Sequence, residues 1–369
     1  MTLPFTDLVR SLPETVPFVG PETHERQRGA SFRARIGANE SVFGPSPKAV
    51  EAMCAAASEA WKYCDAENYA LKQALAKHHS VAAENIVVGE GIDGLLGLTV
   101  RLFVDPGDAV ITSAGAYPTF NYHVDGHGGV LHKVDYKDDR EDPEALLKAA
   151  SEHTAKLIYI ANPDNPMGTA HDAAVIQDMI DRVPENTVLC LDEAYFEFAD
   201  PSVAPPIDTT VSNVIRYRTF SKAYGMAGAR IGYAIGAPEM IKAFDKVRNH
   251  FGVNKIAQAG ALAALEDKSF LLDVQSKVRA ARARITEIAA ENGLNVLPSE
   301  TNFVAVDCGK DGDYARKVLG LLVERGIFVR MPGVAPMDRC IRVSAGTVED
   351  LDAFAQELPG ALKDAAASG

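Results

Sequence analysis

Five short apolar runs spread over residues 86–235 are the feature that most limits how this chain can fold. They are separated by stretches of helical character and end in polar or Gly/Pro turns: Ile86-Val87-Val88, Ala109-Val110-Ile111, Leu157-Ile158-Tyr159-Ile160, Val188-Leu189-Cys190-Leu191 and Ile231-Gly232-Tyr233-Ala234-Ile235. Continuous apolar runs of this length are typical of strands that are buried on both faces of a sheet. The alternation of strand and helix predicts an α/β fold with a mainly parallel sheet. Ligands of such sheets bind at the carboxyl ends of the strands.

The apolar pattern changes beyond about residue 260, which indicates a second, smaller domain. Apolar residues recur every three or four positions from Leu271 to Ile288 and Gly293 follows, so we predict one long amphipathic helix that links two domains. Further apolar segments at 303–306, 327–329 and 341–343 predict a smaller α/β unit.

These patterns divide the chain into three parts, as expected for a length at which a single core usually stops growing. We predict an N-terminal segment 1–44 that joins the small domain, a large domain 45–262, and a small C-terminal domain 263–369 that includes the linking helix. The first clear helix of the large domain begins where Ser46 can cap and Pro47 can occupy the first helical position.

Charge and cysteine content argue against several classes of partner. The 369-residue chain has 50 acidic and 37 basic residues and a formal charge of −13, and a field of that sign repels nucleic-acid backbones and anionic lipid surfaces. The five cysteines are scattered without CxxC spacing, so the sequence indicates neither a disulfide framework nor a metal site. It has neither a secretory pattern nor an apolar run of about 18 residues. We therefore predict a cytoplasmic protein that binds neither nucleic acid nor membrane.

Polar motifs follow two of the predicted strands. The segment 162–168, Asn-Pro-Asp-Asn-Pro-Met-Gly, contains two prolines and a glycine that force a rigid turn and present Asn165 at the edge of the sheet. Asp192 ends the next apolar run, and Tyr195 lies three positions later. Each motif alone also fits an ordinary loop or a carboxylate that binds a metal or a helix N-terminus.

Two further motifs have the residue types of an anion site. Thr219 and Ser221 flank Lys222, and Arg230 lies eight residues after that lysine, so hydroxyls and a guanidinium can hold a phosphate beside an amine. The glycine-rich segment 89–94 precedes an apolar helical stretch, whose N-terminus can bind an anion. A lysine in a loop or a glycine-rich turn is weak support when it stands alone.

Taken together, these motifs resemble the class I/II aminotransferases of fold type I, which depend on pyridoxal 5′-phosphate, and most closely the histidinol-phosphate aminotransferase group. The resemblance covers nearly the whole chain and includes Asn39-Glu40 and Gly44-Pro45-Ser46-Pro47. It depends most on five residues at separations of 27, 3, 27 and 8 positions: Asn165, Asp192, Tyr195, Lys222 and Arg230. It implies a large domain with a seven-stranded, mainly parallel sheet and a smaller α/β domain.

The resemblance also implies how the cofactor ring is held. Lys222 binds pyridoxal 5′-phosphate covalently and, once released, moves a proton between substrate and cofactor. Asp192 pairs with the pyridine nitrogen and keeps it protonated. Asn165 and Tyr195 hydrogen-bond the ring oxygen, and Tyr117 stacks on the ring. The catalytic set is therefore Lys222, Asp192 and Tyr195.

The same resemblance implies that the phosphate of the cofactor is bound by the turn before a helix and by residues at the end of a strand. Ile92 and Gly94 depart from the family pattern, which leaves backbone amides but no side-chain hydroxyl at position 92. The implied phosphate ligands are the amides of Ile92 and Asp93, the hydroxyls of Thr219 and Ser221, and Arg230.

Substrate contacts are implied at both ends of the chain. Arg342 lies in an alternating strand that aims it into the cleft, where it grips the substrate carboxylate as a bidentate pair, and Ala38 and Asn39 add contacts. Arg330 resembles a second arginine that holds a phosphorylated substrate tail. Tyr63 resembles a tyrosine that reaches the cofactor phosphate of a neighbouring subunit, although Cys64 replaces the usual proline. The resemblance thus implies a homodimer.

The leading hypothesis is an aminotransferase that moves an amino group between an L-amino acid, or an amino-phosphate such as L-histidinol phosphate, and a 2-oxo acid such as 2-oxoglutarate. An aminotransferase for aromatic or other amino acids remains an alternative. So does a decarboxylase of the threonine-phosphate type, because no motif reports which bond of the substrate lies perpendicular to the ring. A non-enzymatic binding module is disfavoured by the presence of both Lys222 and Asp192.

Overall fold

Strands and helices alternate along most of the computed structural model, which describes residues 3–14 and 18–367. The helices are α1 Asp7–Ser11, α2 Pro21–Arg28, α3 Pro47–Ala57, α4 Tyr69–His79, α5 Gly91–Phe103, α6 Pro118–His127, α7 Pro143–His153, α8 Ala173–Arg182, α9 Pro238–Ala243, α10 Lys255–Glu266, α11 Lys268–Glu291, α12 Gly312–Glu324 and α13 Val348–Ala367. Within the described ranges, none of them is long and apolar enough to cross a membrane.

The strands of the described residues form three sheets. They are β1 Ala34–Arg35, β2 Ile86–Gly89, β3 Ala109–Ser113, β4 Val130–Val134, β5 Leu157–Ala161, β6 Val188–Asp192, β7 Val214–Thr219, β8 Gly232–Ile235, β9 Asn295–Val296, β10 Phe303–Asp307, β11 Ile327–Phe328 and β12 Cys340–Ser344. The largest sheet has seven strands in the order β2-β8-β7-β6-β5-β3-β4. Strand β8 runs in the opposite direction to the other six strands, which are parallel to one another, and this confirms the mainly parallel sheet.

Two of the seven strands lie outside the five apolar runs. The edge strand β4 is only partly buried and contains His132 and Lys133, so it does not have the apolar run of a strand buried on both faces. In β7 the apolar run is broken by Arg216 and Arg218, although both side chains are buried. These two strands therefore escaped a search for continuous apolar segments.

Both faces of the large sheet are covered, and successive residues of one strand show this directly. Tyr159 of β5 packs in a core with residues of α5 and α6, whereas its neighbours Ile158 and Ile160 pack with residues of α7 and α8. All five residues of β5 are buried. Because the sheet is sandwiched between helices, its carboxyl edge is the place where loops can form a cleft.

A second core joins the C-terminal elements. It contains apolar residues of α11, α12, α13 and the antiparallel sheet β12-β10-β9. Helix α11 ends just before Gly293, which adopts a φ of +70°, as the long amphipathic pattern predicted. The short strand β1 pairs in parallel with β11, so part of the N-terminal segment lies against C-terminal residues. The three-part division of the chain itself stays a prediction.

Candidate active site

A cleft of about 340 Å³ opens at the carboxyl ends of β5, β6 and β7. A larger groove, about 470 Å³ in volume, lies between α4 and α9 and is lined by none of the predicted site residues. The cleft is lined by thirteen of the fifteen predicted residues: Ala38, Asn39, Ile92, Asp93, Tyr117, Asn165, Asp192, Tyr195, Thr219, Ser221, Lys222, Arg230 and Arg342. Residues far apart in sequence are thus brought together, while their individual roles stay predictions.

Lys222 provides an amine with a lowered pKa. It lies in the turn after β7, where its Nζ donates a hydrogen bond to the backbone oxygen of Asn39 at 3.1 Å. Its Nζ also lies 5.5 Å from the centre of the Tyr195 ring. Desolvation, helped by the nearby charge of Arg342, lowers the pKa of Lys222 to about 8. The neutral, nucleophilic form of this amine is therefore much more populated near physiological pH than that of an ordinary lysine.

Asp192 is a buried carboxylate that accepts two hydrogen bonds. Its Oδ1 accepts a hydrogen bond from the backbone N–H of Ala194 at 2.9 Å, and its Oδ2 accepts one from the hydroxyl of Tyr159 at 2.7 Å. Burial raises the pKa of Asp192 to about 6, against the effect of both hydrogen bonds. An anionic carboxylate at the floor of a cleft fits the pairing with a ring nitrogen that the resemblance implies.

Arg342 and Asn165 are hydrogen-bonded to each other. Nη1 of Arg342, on β12, donates to Oδ1 of Asn165 at 2.5 Å. The Nε–H of Arg342 is buried and has no hydrogen-bond partner within the described residues. Burial also lowers the pKa of Arg342. A buried guanidinium with an unused donor is suited to a carboxylate ligand.

Asn39 connects the N-terminal segment to Tyr195 and Ser344. Its Nδ2 donates to the hydroxyl of Tyr195 at 2.9 Å, and its Oδ1 accepts from the hydroxyl of Ser344 at 3.1 Å. Burial raises the pKa of Tyr195, so its hydroxyl stays protonated and can donate into the cleft. The sequence did not indicate this bridge, because its partners lie more than a hundred positions away.

An anion cradle lies at the N-terminus of α5, where Ile92 and Asp93 occupy the first turn. The first N–H groups of a helix lack partners within the helix and favour negative charge. Arg230 lies beside them: a Cβ atom at Gly91, which has a φ of +78°, would come within 2.7 Å of the Arg230 Nη2. Glycine thus allows the close approach of the guanidinium. With the nearby hydroxyls of Thr219 and Ser221, this donor set fits a phosphate group.

Comparison with known proteins agrees with this site. The profile of the aminotransferase class I and II family matches residues 35–358. The chain belongs to that family. This match confirms the aminotransferase family and the fold type I that the resemblance implied, and the chain is a transferase.

Histidinol-phosphate aminotransferases are prominent among the similar members of the family. The enzyme of Geobacillus thermodenitrificans is 31% identical over 359 residues, which cover 96% of this chain and 97% of that protein. The enzyme of Anaeromyxobacter sp. is 35% identical over 345 residues, covering 92% and 93%. The crystal structure of histidinol-phosphate aminotransferase from Sinorhizobium meliloti in complex with pyridoxal 5′-phosphate is 53% identical, with a TM-score of 0.95 and 99% coverage of both chains.

Two predicted residues of this aminotransferase do not line the cleft. Tyr63 is 80% exposed, and its ring packs on that of Phe251 with centroids 4.7 Å apart. The guanidinium of Arg330 lies 3.7 Å from the centre of the Phe18 ring and donates to the backbone oxygen of Val19. Stacking on an aromatic ring and a carbonyl partner hold Arg330 there, so its contact with a substrate stays a prediction.

Several lining residues were not found by sequence reasoning. Glu22 and Arg35 form an ion pair of 2.8 Å at the cleft, where Arg35 is placed by the pairing of β1 with β11. No local sequence pattern predicts the pairing of β1 with β11. Tyr159 lies within a predicted strand and is the one residue of its apolar run with a polar tip, a signal that could have marked it. The lining residues that were missed include Phe18, Glu22, Arg35, Glu40 and Tyr159.

Proposed function

We propose that this aminotransferase uses pyridoxal 5′-phosphate to move an amino group between L-histidinol phosphate and a 2-oxo acid such as 2-oxoglutarate. One observation carries the proposal: the amine of Lys222, with its lowered pKa, shares a single cleft with the Asp192 carboxylate, an anion cradle and the buried Arg342. The 53% identity to the Sinorhizobium meliloti enzyme over nearly all of both chains supports the same substrate and cofactor.

Each residue of the cleft has its own role in the proposed reaction. When bound, pyridoxal 5′-phosphate supplies a carbonyl carbon that accepts amines and a ring that withdraws electrons from the substrate's α-carbon. Lys222 would hold the cofactor through its amine and, as a free amine, would move a proton to and from the α-carbon of the substrate. Asp192 holds positive charge on the ring nitrogen, and Tyr195 donates to the ring oxygen. Arg230 and the first turn of α5 hold the phosphate.

The substrate's acidic group is assigned to Arg342. Its free Nε–H and its Nη2 lie on the same edge of the guanidinium and can form two parallel hydrogen bonds to a carboxylate or phosphate, once the 3.5 Å contact of Nη2 with the backbone oxygen of Gly37 is exchanged for the ligand. We assign the phosphate-bearing tail of the substrate to Arg330, which requires that it leave Phe18 and Val19.

We also propose a homodimer, in the cytoplasm, with Tyr63 serving the site of the second copy. Support comes from an exposed aromatic patch: Trp61 and Tyr63 are each 80% exposed and Phe251 is 53% exposed. Monomeric proteins rarely leave contiguous apolar patches uncovered. Mixing Tyr63→Ala and Lys222→Ala chains tests this, since only a shared site restores one complete set of residues. Recovery of activity on mixing supports the proposal, and its absence in mixed dimers contradicts it.

The test of the function is a visible absorbance titration of the purified protein with amino donors. We expect L-histidinol phosphate to convert the bound cofactor to its amine form much faster than glutamate, phenylalanine or tyrosine does, and 2-oxoglutarate to restore the starting spectrum. A faster reaction with an aromatic donor would assign the chain to the aromatic alternative. Release of CO₂ would instead assign it to the decarboxylases.

A further inference from the structure

A buried tyrosine hydroxyl lies against the Asp192 carboxylate. The hydroxyl of Tyr159 donates to Oδ2 of Asp192 at 2.7 Å, and the side chains are 0% and 5% exposed respectively. A hydroxyl that cannot reach water must find its partner within the protein. An ionised carboxylate is the stronger kind of acceptor.

Strand register explains why the two groups meet. In the parallel pair of β5 and β6, Tyr159 is opposite Cys190 and Ala161 is opposite Asp192. Tyr159 and Asp192 are therefore diagonal neighbours on one face of the sheet, a separation that an aromatic side chain can span. The ring of Phe120 stacks on Tyr159, with centroids 4.7 Å apart and an interplanar angle of 19°. This stacking fixes the direction of the Tyr159 hydroxyl.

The two donors act on different oxygens of Asp192. Ala194 donates to Oδ1 and Tyr159 donates to Oδ2, so the carboxylate is held from both sides. Each oxygen keeps a further lone pair for another donor. Hydrogen bonds to a carboxylate favour its charged form, which opposes the effect of burial on Asp192.

We propose that Tyr159 is a positioning residue that keeps the Asp192 carboxylate oriented and anionic for the ring nitrogen of the cofactor. The inference rests on the proposed dependence on pyridoxal 5′-phosphate. Tyr159 acts through Asp192, since its hydroxyl is already committed to that carboxylate. Loss of the hydroxyl weakens cofactor binding and makes it more sensitive to acid.

Tyr217 provides a matched control on the opposite neighbouring strand. It is directly opposite Asp192 in the pairing of β6 and β7 and is, like Tyr159, 0% exposed. Its hydroxyl bonds to Thr99 Oγ1 at 2.7 Å and to Cys190 Sγ at 3.7 Å rather than to Asp192. Tyr217→Phe therefore removes an equally buried hydroxyl from the same core without touching the carboxylate.

The experiment compares Tyr159→Phe, Tyr217→Phe and the unsubstituted protein by titrating each apoprotein with pyridoxal 5′-phosphate over a range of pH. We expect Tyr159→Phe to raise the dissociation constant about tenfold or more, because it removes a hydrogen bond to a charged group. The pH below which affinity falls should also move upward, because Asp192 without this donor takes up a proton more readily. Tyr217→Phe should leave both quantities unchanged.

Repeating the Tyr159→Phe substitution in Asp192→Asn protein distinguishes an effect through Asp192 from a general loss of packing. In Asp192→Asn protein, Tyr159→Phe should cause no further change in the dissociation constant, whereas an undiminished effect there overturns the proposal. Equal effects of Tyr159→Phe and Tyr217→Phe also overturn it. Melting temperatures of all variants report whether the fold is intact. If the unsubstituted protein itself binds no pyridoxal 5′-phosphate, it is the proposed function that fails.

Discussion

Arg342 and Asn165, 177 positions apart, are joined by a hydrogen bond from Nη1 to Oδ1 of 2.5 Å. The bond connects β12 of the C-terminal sheet to the turn that follows β5 in the large sheet. The resemblance assigns these residues to different ligands, Arg342 to the substrate and Asn165 to the cofactor ring. The bond thus fixes the position of each side chain relative to the other, while Nε–H of Arg342 has no partner among the described residues.

Replacing Arg342 by lysine tests this role. The charge remains, but the planar pair of donors is lost, so we expect kcat/KM for 2-oxoglutarate to fall by about tenfold or more. Steady-state kinetics with varied 2-oxoglutarate measure the change. Arg339→Lys is the control, since Arg339 is paired with Asp139 and Asp307 outside the cleft. Similar losses in both variants would remove Arg342 from the carboxylate site.

Lys222 should react as an amine at lower pH than an ordinary lysine. Desolvation and the charge of Arg342 lower its pKa to about 8, and only the neutral amine attacks electrophiles. In apoprotein treated with an amine-specific reagent, the rate of labelling at Lys222, followed by mass spectrometry, should reach half its maximum near that pH. A midpoint near 10.5, the pKa of an ordinary lysine, would contradict the desolvated environment.

The sequence predicts the large sheet well where burial is simple and fails where burial depends on charge pairing. Strand β7 carries Arg216 and Arg218, which read as solvent-facing residues, yet both are buried because they meet Glu193. The sequence around positions 216–218 gives no indication that the partner is Glu193, a carboxylate 23 to 25 positions away. Strand β4 was missed for the opposite reason, since it is an edge strand that needs little apolar surface.

In the candidate site, too, one part could be predicted from the sequence and another could not. Ordered motifs placed thirteen residues in one cleft, and most of these residues lie at or just after the end of a strand of the large sheet, where position is set by topology. Contacts between those residues could not be predicted, because they depend on side-chain directions. Asn165 bonds to Arg342, and Arg330 stacks on Phe18 from the N-terminal segment. Neither pairing leaves a periodic signal in the sequence.

Glu193 should contribute strongly to stability. Its side chain is 1% exposed, and its two oxygens contact Arg216 at 2.5 Å and Arg218 at 2.9 Å. Burial raises the pKa of Glu193, but the charges of Arg218 and Arg216 outweigh burial, so the pKa is lowered overall. Glu193→Gln leaves two buried guanidinium groups without their counter-ion, which should cost about 3–5 kcal/mol in the free energy of unfolding.

Chemical denaturation measures that cost against a surface control. Glu144 pairs with Arg182, but both side chains are largely exposed, at 67% and 46%. Glu144→Gln should therefore change the free energy of unfolding by no more than about 1 kcal/mol. Equal effects of the two substitutions would show that the buried ion pairs of Glu193 add nothing beyond those at the surface.

Asp164, next to Asn165, should make stability depend on pH. It is 2% exposed, and its carboxylate accepts hydrogen bonds from the Tyr136 hydroxyl at 2.8 Å and the Met167 N–H at 3.0 Å. Burial raises its pKa from 3.8 to about 7, although Arg342 acts in the opposite direction. The carboxyl of Glu141, whose pKa is also raised by burial and by Asp164, is the neighbouring acid.

The sign of the effect follows from that shift. The folded protein binds a proton at Asp164 that the unfolded chain has already released, so folding is favoured at low pH and loses a few kcal/mol as pH rises through about 7. Asp164→Asn cannot titrate, and its melting temperature relative to the unsubstituted protein should therefore increase between about pH 5 and pH 8. Asp178→Asn, at an exposed position of α8, should show no such trend. A constant difference for Asp164→Asn across this range would mean that Asp164 is already ionised in the folded protein at the acid end.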